Sequence, residues 1–232
     1  MKKKSYSYIG ISFVILLFGI YALPKIVNSF SNHNVVKKSK RLDKISSQKK
    51  ESPLLKFEKV PHFSFTDQNG EIISNKNYKN KVYVVEFFFT NCPTICPKMN
   101  ANMVKIQDVY KDNPDFGIVS FSIDPKRDSP KVLKKYAEEK GATMKNWHFL
   151  HGEVETIYEL SNKGFKLFAG ENKEAEGGFE HSGLFALIDK NGFIRSRTVE
   201  QNGYKNPIKF YDGLDIEQVS WLKEDIALLL QE

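Results

Sequence analysis

The chain contains two cysteines, Cys92 and Cys96, separated by three residues. A disulfide that closes so short a loop stabilises a fold little, so the pair is predicted to serve chemistry rather than structure. Paired soft thiolates favour Cu(I), zinc or iron–sulfur chemistry, and the same two sulfurs can form a redox disulfide. A CxxxC spacing by itself is a weak signal. A buried inert pair is the alternative, because free cysteine is often buried.

The cysteines follow a predicted core strand and precede a predicted helix. Residues 81–89 (KVYVVEFFF) are almost continuously apolar, which is typical of a strand buried on both faces of an α/β sheet. Pro97 suits the first turn of a helix that we expect to extend to residue 112. If residues 93–96 form one helical turn, both sulfur atoms lie on the same side of the helix N-terminus, which favours thiolates and lowers their pKa. Sites in open α/β sheets lie beyond the carboxyl ends of the strands, where this junction falls.

One of the five histidines, His181, is predicted to lie opposite the cysteines. It occurs in the segment 177–183 (GGFEHSG), directly before a predicted core strand. In a thioredoxin-like fold the start of that strand faces the cysteine motif and carries a cis-proline, but this chain has no proline between Pro130 and Pro207. The other histidines are interpreted as surface or satisfied core residues: His33, His62, His148 and His151.

Strands and helices alternate along the rest of the chain. The alternation of residues 60–66 and the turn signal at 68–70 predict an opening hairpin. Further strands are predicted at 116–123, 147–150, 183–188 and 193–199, and further helices at 130–141, 154–162 and 216–230. Ser129 and Gly141 are the predicted caps of the helix between them. Strands alternating with helices indicate βαβ units, so we predict the α/β class: a thioredoxin-like domain with a mixed central sheet and an N-terminal hairpin.

The N-terminus has the pattern of a membrane signal. Lys2, Lys3 and Lys4 precede an uncharged run whose apolar core is Tyr8 to Leu23. Its length approaches the about 20 residues that a transmembrane helix needs, and we see no small-residue cleavage site after it. One uncleaved transmembrane helix is therefore favoured over a cleaved signal peptide. The positive flank should stay in the cytoplasm, so the rest of the chain is predicted to face outward.

The predicted organisation is a membrane anchor at 1–27, a basic tether at 28–56 and a thioredoxin-like domain at 57–232. A mitochondrial presequence would be Arg-rich, whereas the first arginine here is Arg41, so the chain is interpreted as bacterial. The domain would then lie on the periplasmic or extracytoplasmic side of the inner (cytoplasmic) membrane, held by a single pass.

The formal net charge of +7 belongs to the N-terminal segment. Residues 1–56 carry twelve Lys/Arg and two Asp/Glu, whereas the remaining 176 residues carry 23 Lys/Arg and 26 Asp/Glu. A nucleic-acid-binding domain concentrates basic charge on its own surface, so this distribution argues against a nucleic-acid partner. The basic segment suits solvated spacing near anionic lipid.

Three ordered motifs together resemble the Sco/SenC family. They are CPTICP at 92–97, DPKRDSP at 124–130 and FEHSG at 179–183. The resemblance extends over about residues 57–232 and implies a copper site with Cys92 and Cys96 as thiolate ligands and His181 as the imidazole ligand. Asp124 matches an acidic position of the family beside the site, where it could support the ligands. Simple loop and capping chemistry explains Asp124 equally well.

The resemblance implies a metallochaperone, which transfers metal between sites, rather than an enzyme. The expected cargo is copper, as Cu(I) or Cu(II). The expected partner is cytochrome c oxidase subunit II, whose CuA centre would receive the copper during assembly of the respiratory oxidase. The alternative is a thiol–disulfide oxidoreductase that uses the Cys92–Cys96 couple to reduce the cysteines of that oxidase site. The CxxxC spacing and the missing cis-proline argue against a general oxidoreductase.

Two other chemistries fit the sequence less well. A structural zinc site normally has four ligands, and a convincing fourth is absent, since the helical spacing of Met99 and Met103 is typical of core packing. A thiol peroxidase has a threonine three residues before its reactive cysteine, where this chain has Phe89 or Pro93. Copper remains the metal that suits two thiolates and one imidazole.

Overall fold

The computed structural model describes residues 52–201 and 203–232, together with positions 16, 18 and 21. Most of the predicted anchor and of the predicted tether therefore lies outside the described residues. Within the part that is described, we find no helix that is both long and apolar enough to cross a membrane. Residues 52–232 form one compact unit.

The described unit contains short strands and four α-helices. In chain order the strands are β1 (Leu55–Lys59), β2 (Ser64–Asp67), β3 (Ile72–Ser74), β4 (Val82–Phe88), β5 (Phe116–Ser122), β6 (Trp147–His151), β7 (Ala169–Glu171), β8 (Phe179–His181), β9 (Leu184–Ile188), β10 (Phe193–Ser196), β11 (Thr198–Gln201), β12 (Tyr204–Pro207) and β13 (Tyr211–Asp212). The helices are α1 (Cys96–Tyr110), α2 (Pro130–Lys140), α3 (Val154–Glu159) and α4 (Ile216–Gln231).

The central sheet is mixed, as predicted. Its strand order is β1-β10-β9-β4-β5-β6-β2-β3, and β13 pairs with β9 beside this order. Strands β4, β5 and β6 are parallel, whereas β9 pairs with β4, and β2 with β6, in the antiparallel sense. The opening hairpin is confirmed as β2 and β3, joined by a turn in which Gly70 adopts a φ of 82°. Glycine is suited to that left-handed conformation.

Strands β4 and β5 form the centre of the core, and every residue in both is buried. Aromatic rings fill one face of the sheet: Phe63, Phe65, Phe87, Phe121 and Phe165. Successive side chains of a strand point to opposite faces, so Phe88 lies on the other face, where it contacts Tyr136 of α2 and Phe149 of β6. Strand β4, which leads directly into the segment with the cysteines, is therefore packed on both faces.

The folded unit begins earlier in the chain than we predicted. Strand β1 starts at Leu55, inside the segment predicted as tether, and pairs with β10. Leu54 is buried, and the Arg195 guanidinium donates hydrogen bonds to Ser52 Oγ and to the Leu55 carbonyl. Two leucines among lysines and serines do not make a periodic pattern, so only the tertiary contacts reveal this strand.

The helices mostly follow their predicted bounds, with one local correction at the cysteines. Residues 93–95 form bends rather than a helical turn, and α1 begins at Cys96. Cys92 precedes a proline, and a residue in that position is disfavoured in the α conformation. In α2, Gly141 is the left-handed cap that we predicted, with φ 77°, whereas Ser129 occupies the N-cap position without a capping hydrogen bond from its side chain.

The C-terminal half contains three features that the sequence analysis did not predict. The predicted strand 193–199 is divided into β10 and β11, and β11 pairs with β12 in a separate two-stranded sheet. The predicted helix 154–162 ends at Glu159 and continues as a π-helical segment, Leu160–Phe165. Strands β7 and β8 form another separate hairpin, and His181 is its last residue.

Candidate metal centre

The cysteines lie on a connection between two core elements, which we call the cysteine arm (residues 89–96). It leaves β4 after Phe88 and enters α1 at Cys96, and the Cys92 amide donates a hydrogen bond to the Phe89 carbonyl at 3.3 Å. Cys92 is 8% exposed and Cys96 is 1% exposed, and both are free thiols. The arm therefore holds two sulfurs at the edge of the core, one of them still in reach of solvent.

Asp128 holds the cysteine arm from behind. Its fully buried carboxylate accepts hydrogen bonds from the Thr90 amide at 3.0 Å and from the Thr90 hydroxyl. A third donor, the Ser122 hydroxyl at the end of β5, lies 2.5 Å away. Hydrogen bonds to charged groups are stronger than those between neutral groups, so this buried carboxylate holds the cysteine arm firmly in place. Thr90 lies two residues before Cys92, so this contact fixes the approach to the first sulfur.

His181 lies on a different connection, which we call the histidine arm (residues 169–183). The arm consists of the hairpin β7–β8 and the turn between its strands, closed by a hydrogen bond from the Asn172 amide to the Gly178 carbonyl at 3.0 Å. At its base, the Asn162 side chain exchanges two hydrogen bonds with the backbone of Ala169. Each strand of this hairpin has three residues.

The structure brings the two arms together at the three predicted ligands. One ligand atom from each of Cys92, Cys96 and His181 lies within 4.8 Å of the other two. His181 Nε2 is 3.2 Å from Cys96 Sγ, while Nδ1 is 3.1 Å from the Ser182 carbonyl oxygen. A carbonyl oxygen can only accept, so Nδ1 carries the proton and Nε2 directs its lone pair toward the sulfurs. A second partner that fixes the imidazole in this way is typical of metal-ligating histidines.

The two thiols have opposite electrostatic environments. A hydrogen bond from the Cys96 thiol lowers the pKa of Cys92 to about 3, and the nearby His181 and Thr94 side chains act in the same direction. The same hydrogen bond, together with burial, raises the pKa of Cys96. The predicted lowering of both pKa values therefore holds for Cys92 alone. Of the two cysteines, Cys92 is therefore the one whose environment favours the thiolate.

A cavity of about 220 Å³ opens between the arms. Its lining includes Phe89, Cys92, Thr94, Phe179, Glu180 and His181. The Phe89 ring meets the His181 ring edge-on at 5.9 Å, which limits how the imidazole can turn. Two of the three ligand residues, Cys92 and His181, therefore face this cavity.

Asp124 lies behind the site rather than among the ligands. Its carboxylate forms an ion pair with Arg127, with Nε 2.5 Å from Oδ2, and burial raises the pKa of Asp124 despite that neighbour. The Arg127 guanidinium also donates to the Gly177 carbonyl at 3.3 Å and stacks over the Phe179 ring at 5.4 Å. The sequence analysis missed Arg127, although it belongs to the quoted motif at 124–130.

The remaining candidates lie outside the site, and one of the histidines predicted to be on the surface or satisfied in the core, His151, has a buried Nδ1 without a hydrogen-bond partner among the described residues. Met99 and Met103 are fully buried in the core. His148 pairs with Asp67, with Nδ1 3.1 Å from Oδ2. These two residues lie on the neighbouring strands β6 and β2, away from the site. His33 lies outside the described residues. Within the part of the chain that the structure describes, Cys92, Cys96 and His181 form the one cluster of Cys, His or acidic ligands that can hold a metal.

The comparisons with known proteins agree with this site. The chain matches the SCO1/SenC family model over residues 52–209. The SCO1 protein homolog of Bacillus subtilis (strain 168) is 37% identical over 168 residues, which cover 71% of this chain and 84% of that relative. A solved SCO1/SenC family lipoprotein from Bacillus anthracis has a TM-score of 0.63 at 33% identity, covering 74% of this chain and 94% of its own.

A second solved structure is similar to a comparable degree. BsSco, a member of the Sco family of cytochrome c oxidase assembly proteins in which a disulfide switch was identified, has a TM-score of 0.57 at 32% identity. The match covers 73% of this chain and 94% of BsSco. The mixed sheet, the CxxxC junction and the opposed histidine define a thioredoxin-like domain with a Cys–Cys–His site. This protein belongs to the SCO1/SenC family, as its three motifs predicted.

Proposed function

We propose that this protein is a membrane-anchored metallochaperone that binds copper with Cys92, Cys96 and His181. The observation that carries the proposal is the cluster of two sulfurs and one oriented imidazole nitrogen within 4.8 Å, with Cys92 and His181 lining a cavity. The Ser182 carbonyl holds the Nδ1 proton, which leaves Nε2 available to a metal.

The chemistry of the donors favours copper as the cargo. Cu(I) accepts two or three soft ligands, and Cu(II) tolerates an imidazole beside thiolates. A structural zinc ion takes four ligands, and the cluster offers three. Metal ligation requires deprotonated cysteines, so binding would release the proton of Cys96, whereas Cys92 is already a thiolate in the metal-free protein.

We propose that the acceptor is the CuA centre of cytochrome c oxidase subunit II. Family membership supports a role in oxidase assembly, because BsSco belongs to the Sco family of cytochrome c oxidase assembly proteins. The basic flank and apolar run of residues 1–27 support an anchor that leaves domain 52–232 outside the cytoplasm, with the segment before it as a tether. An oxidase subunit in the same membrane would then lie within reach of the site.

Thiol–disulfide exchange is the second candidate, and the free Cys92–Cys96 pair supports it. The Cys92 thiolate would attack one sulfur of the oxidase disulfide and form a mixed disulfide, and Cys96 would then displace the second oxidase sulfur. The oxidase gains two thiols, and this protein ends with a Cys92–Cys96 disulfide. That product requires both cysteines but has no need of His181 as a redox carrier.

Metal analysis of the reduced and reconstituted full-length protein tests the primary proposal. We expect about one copper per chain, because one thiolate pair and one imidazole make one site. The Cys92→Ser/Cys96→Ser variant should lose tight binding, while retention of full copper affinity would refute the ligand assignment. Protease added to intact spheroplasts tests the topology: the domain should be digested, and resistance until lysis would contradict an outward-facing domain.

A further inference from the structure

The loop that follows β5, residues 124–130, touches both arms of the site. Toward the cysteine arm, Asp128 accepts hydrogen bonds from Thr90. Toward the histidine arm, Arg127 donates to the Gly177 carbonyl at 3.3 Å. The backbone links the two contacts directly, because the Asp128 and Arg127 amides both donate to the Asp124 carbonyl, at 2.9 and 3.1 Å. One short loop therefore connects the two halves of the ligand set.

The two contacts differ in how deeply they are buried. Asp128 is fully buried and holds the cysteine arm from within the core. The Arg127 side chain is 52% exposed, yet its partner Asp124 is only 3% exposed. The guanidinium covers the Phe179 ring at 5.4 Å, and that ring lies 5.3 Å from Phe89. Arg127 thus joins the tip of the histidine arm to the cysteine arm from the solvent side.

The histidine arm depends on such contacts because its own hairpin is small. Strands β7 and β8 pair only with each other among the described strands, and each has three residues. An isolated two-stranded hairpin is marginally stable in water. Gly177 and Gly178 both have positive φ, 86° and 85°, and glycine loses more conformational freedom on folding than other residues. The distance from His181 to the sulfurs is therefore set by contacts across the cavity.

We propose that Arg127 is a positioning residue that latches the histidine arm over the cysteine arm and so brings His181 to the sulfurs. Its fork makes two directed interactions, an ion pair with Asp124 and a hydrogen bond with Gly177, while its flat face covers Phe179. Lysine offers a point charge and lacks the planar fork, so it can replace only part of this contact. The inference rests on the proposed function, since the latch matters for copper through His181.

The test is a double-mutant cycle on copper affinity in the full-length protein, measured by competition with a Cu(I) chelator. Arg127→Gln should weaken binding by about 10–100-fold, the usual effect of removing a group that orients a ligand. In a His181→Ala background the same change should alter binding by no more than about twofold, because the latch then has no ligand to position. Arg127→Lys should fall between Arg127→Gln and the unsubstituted protein. An equal loss with and without His181 would overturn the latch.

Two variants guard against trivial results. Lys131→Gln is the matched control, because Lys131 is exposed in the first turn of α2 and lies outside both arms, so it should leave copper affinity unchanged. If Arg127→Gln alone misfolds because Asp124 is left buried without its partner, Asp124→Asn/Arg127→Gln removes both charges together. That double variant should still weaken binding only when His181 is present, and wild-type affinity in it would refute the proposal.

Hydrogen exchange of the metal-free protein gives a readout that does not depend on copper. Arg127→Gln should speed exchange across residues 169–183 and leave residues 89–96 as protected as before, whereas Lys131→Gln should change neither. If the unsubstituted protein binds no copper, the proposed function fails, but the exchange result still decides whether Arg127 holds the arm. Unchanged exchange in the histidine arm would reject the latch even if copper binds.

Discussion

The two arms of the site are built in different ways. The cysteine arm joins a fully buried strand to a helix of 15 residues, and a buried carboxylate with three donors holds it. The histidine arm is a hairpin of two three-residue strands, held at its tip by a half-exposed arginine. Two of the three ligands are thus part of the core, and the third is docked onto it. The less supported arm therefore controls whether the ligand set is complete.

Ligand substitutions should give the largest effects and should separate the two arms. Cys96→Ser should abolish tight copper binding, since one thiolate of the core-held pair is lost. His181→Ala should weaken binding by about 10–100-fold or more while leaving the fold and the Cys92–Cys96 disulfide couple intact. A copper titration beside complementation of an oxidase-assembly defect measures both. Normal complementation by His181→Ala with its copper binding lost would favour the reductase over the chaperone.

Asp128→Asn should be the most destabilising change behind the cysteine arm. The asparagine keeps the shape but loses the charge, and its amide group would face the donors of Thr90 and Ser122. Losing hydrogen bonds to a buried charged group costs about 1–3 kcal/mol, so the free energy of unfolding should fall by that order. Urea unfolding measures it. Asp108→Asn, on the exposed face of α1, is the control and should change stability little.

The cysteine arm was largely predictable because its determinants are local. The apolar run of β4, the cysteine spacing and Pro97 at the start of α1 all lie within 17 consecutive residues, 81–97. The error at residues 93–95 is also local, since Pro93 keeps Cys92 out of the helix. The contact that fixes the arm was not predictable, because Thr90 and Asp128 are 38 positions apart.

The histidine arm was predictable only through its motif. The tripeptides of β7 and β8 are too short for a period of two to show, and the intervening segment carries glycines and charges typical of a loop. Its latch joins residues 50 positions apart. Local patterns therefore located His181 before a core strand, whereas the hairpin and the orientation of the imidazole depend on tertiary contacts. The Ser182 carbonyl that orients the ring is a backbone group with no sequence signature.

The buried carboxyl group of Glu86 should make the free energy of unfolding depend on pH. It is fully buried on β4, and its Oε1 accepts a hydrogen bond from the Ser120 hydroxyl at 2.7 Å. Burial raises the pKa of Glu86 to about 7, and the Ser120 hydrogen bond and the nearby His181 side chain only partly oppose this. The folded state therefore holds the proton more tightly than the unfolded state does. The stabilisation of the folded state by protonated Glu86 is complete below the pKa that this group has in the unfolded chain, and it is lost as pH rises through about 7.

The difference between the wild type and Glu86→Gln isolates this group. The amide mimics the protonated acid, so the variant should gain stability over the wild type as pH rises from 4.5 to about 7, and the difference should then level off. The expected change across that window is about 3 kcal/mol, from 1.36 kcal/mol for each pKa unit. Urea midpoints of both proteins over this range measure it. Parallel profiles would mean that Glu86 titrates as it does in the unfolded chain.

The smallest effects should come from the two adjacent glycines of the histidine arm, and their difference tests how closely the arms fit. Both have positive φ, so alanine at either position costs about 1–2 kcal/mol of backbone strain. At Gly178 an added Cβ meets nothing nearer than Arg127 Nη2 at 3.8 Å, whereas at Gly177 it meets Phe89 Cε2 at 2.8 Å. Phe89 is 1% exposed and cannot move aside easily. Gly177→Ala should therefore lower the free energy of local opening of the histidine arm by about 1 kcal/mol more than Gly178→Ala does. Faster hydrogen exchange of the Ser182 amide measures this difference. Equal exchange in the two variants would mean that the histidine arm does not pack tightly against Phe89. The cysteine arm would then constrain the position of His181 less than this close contact suggests.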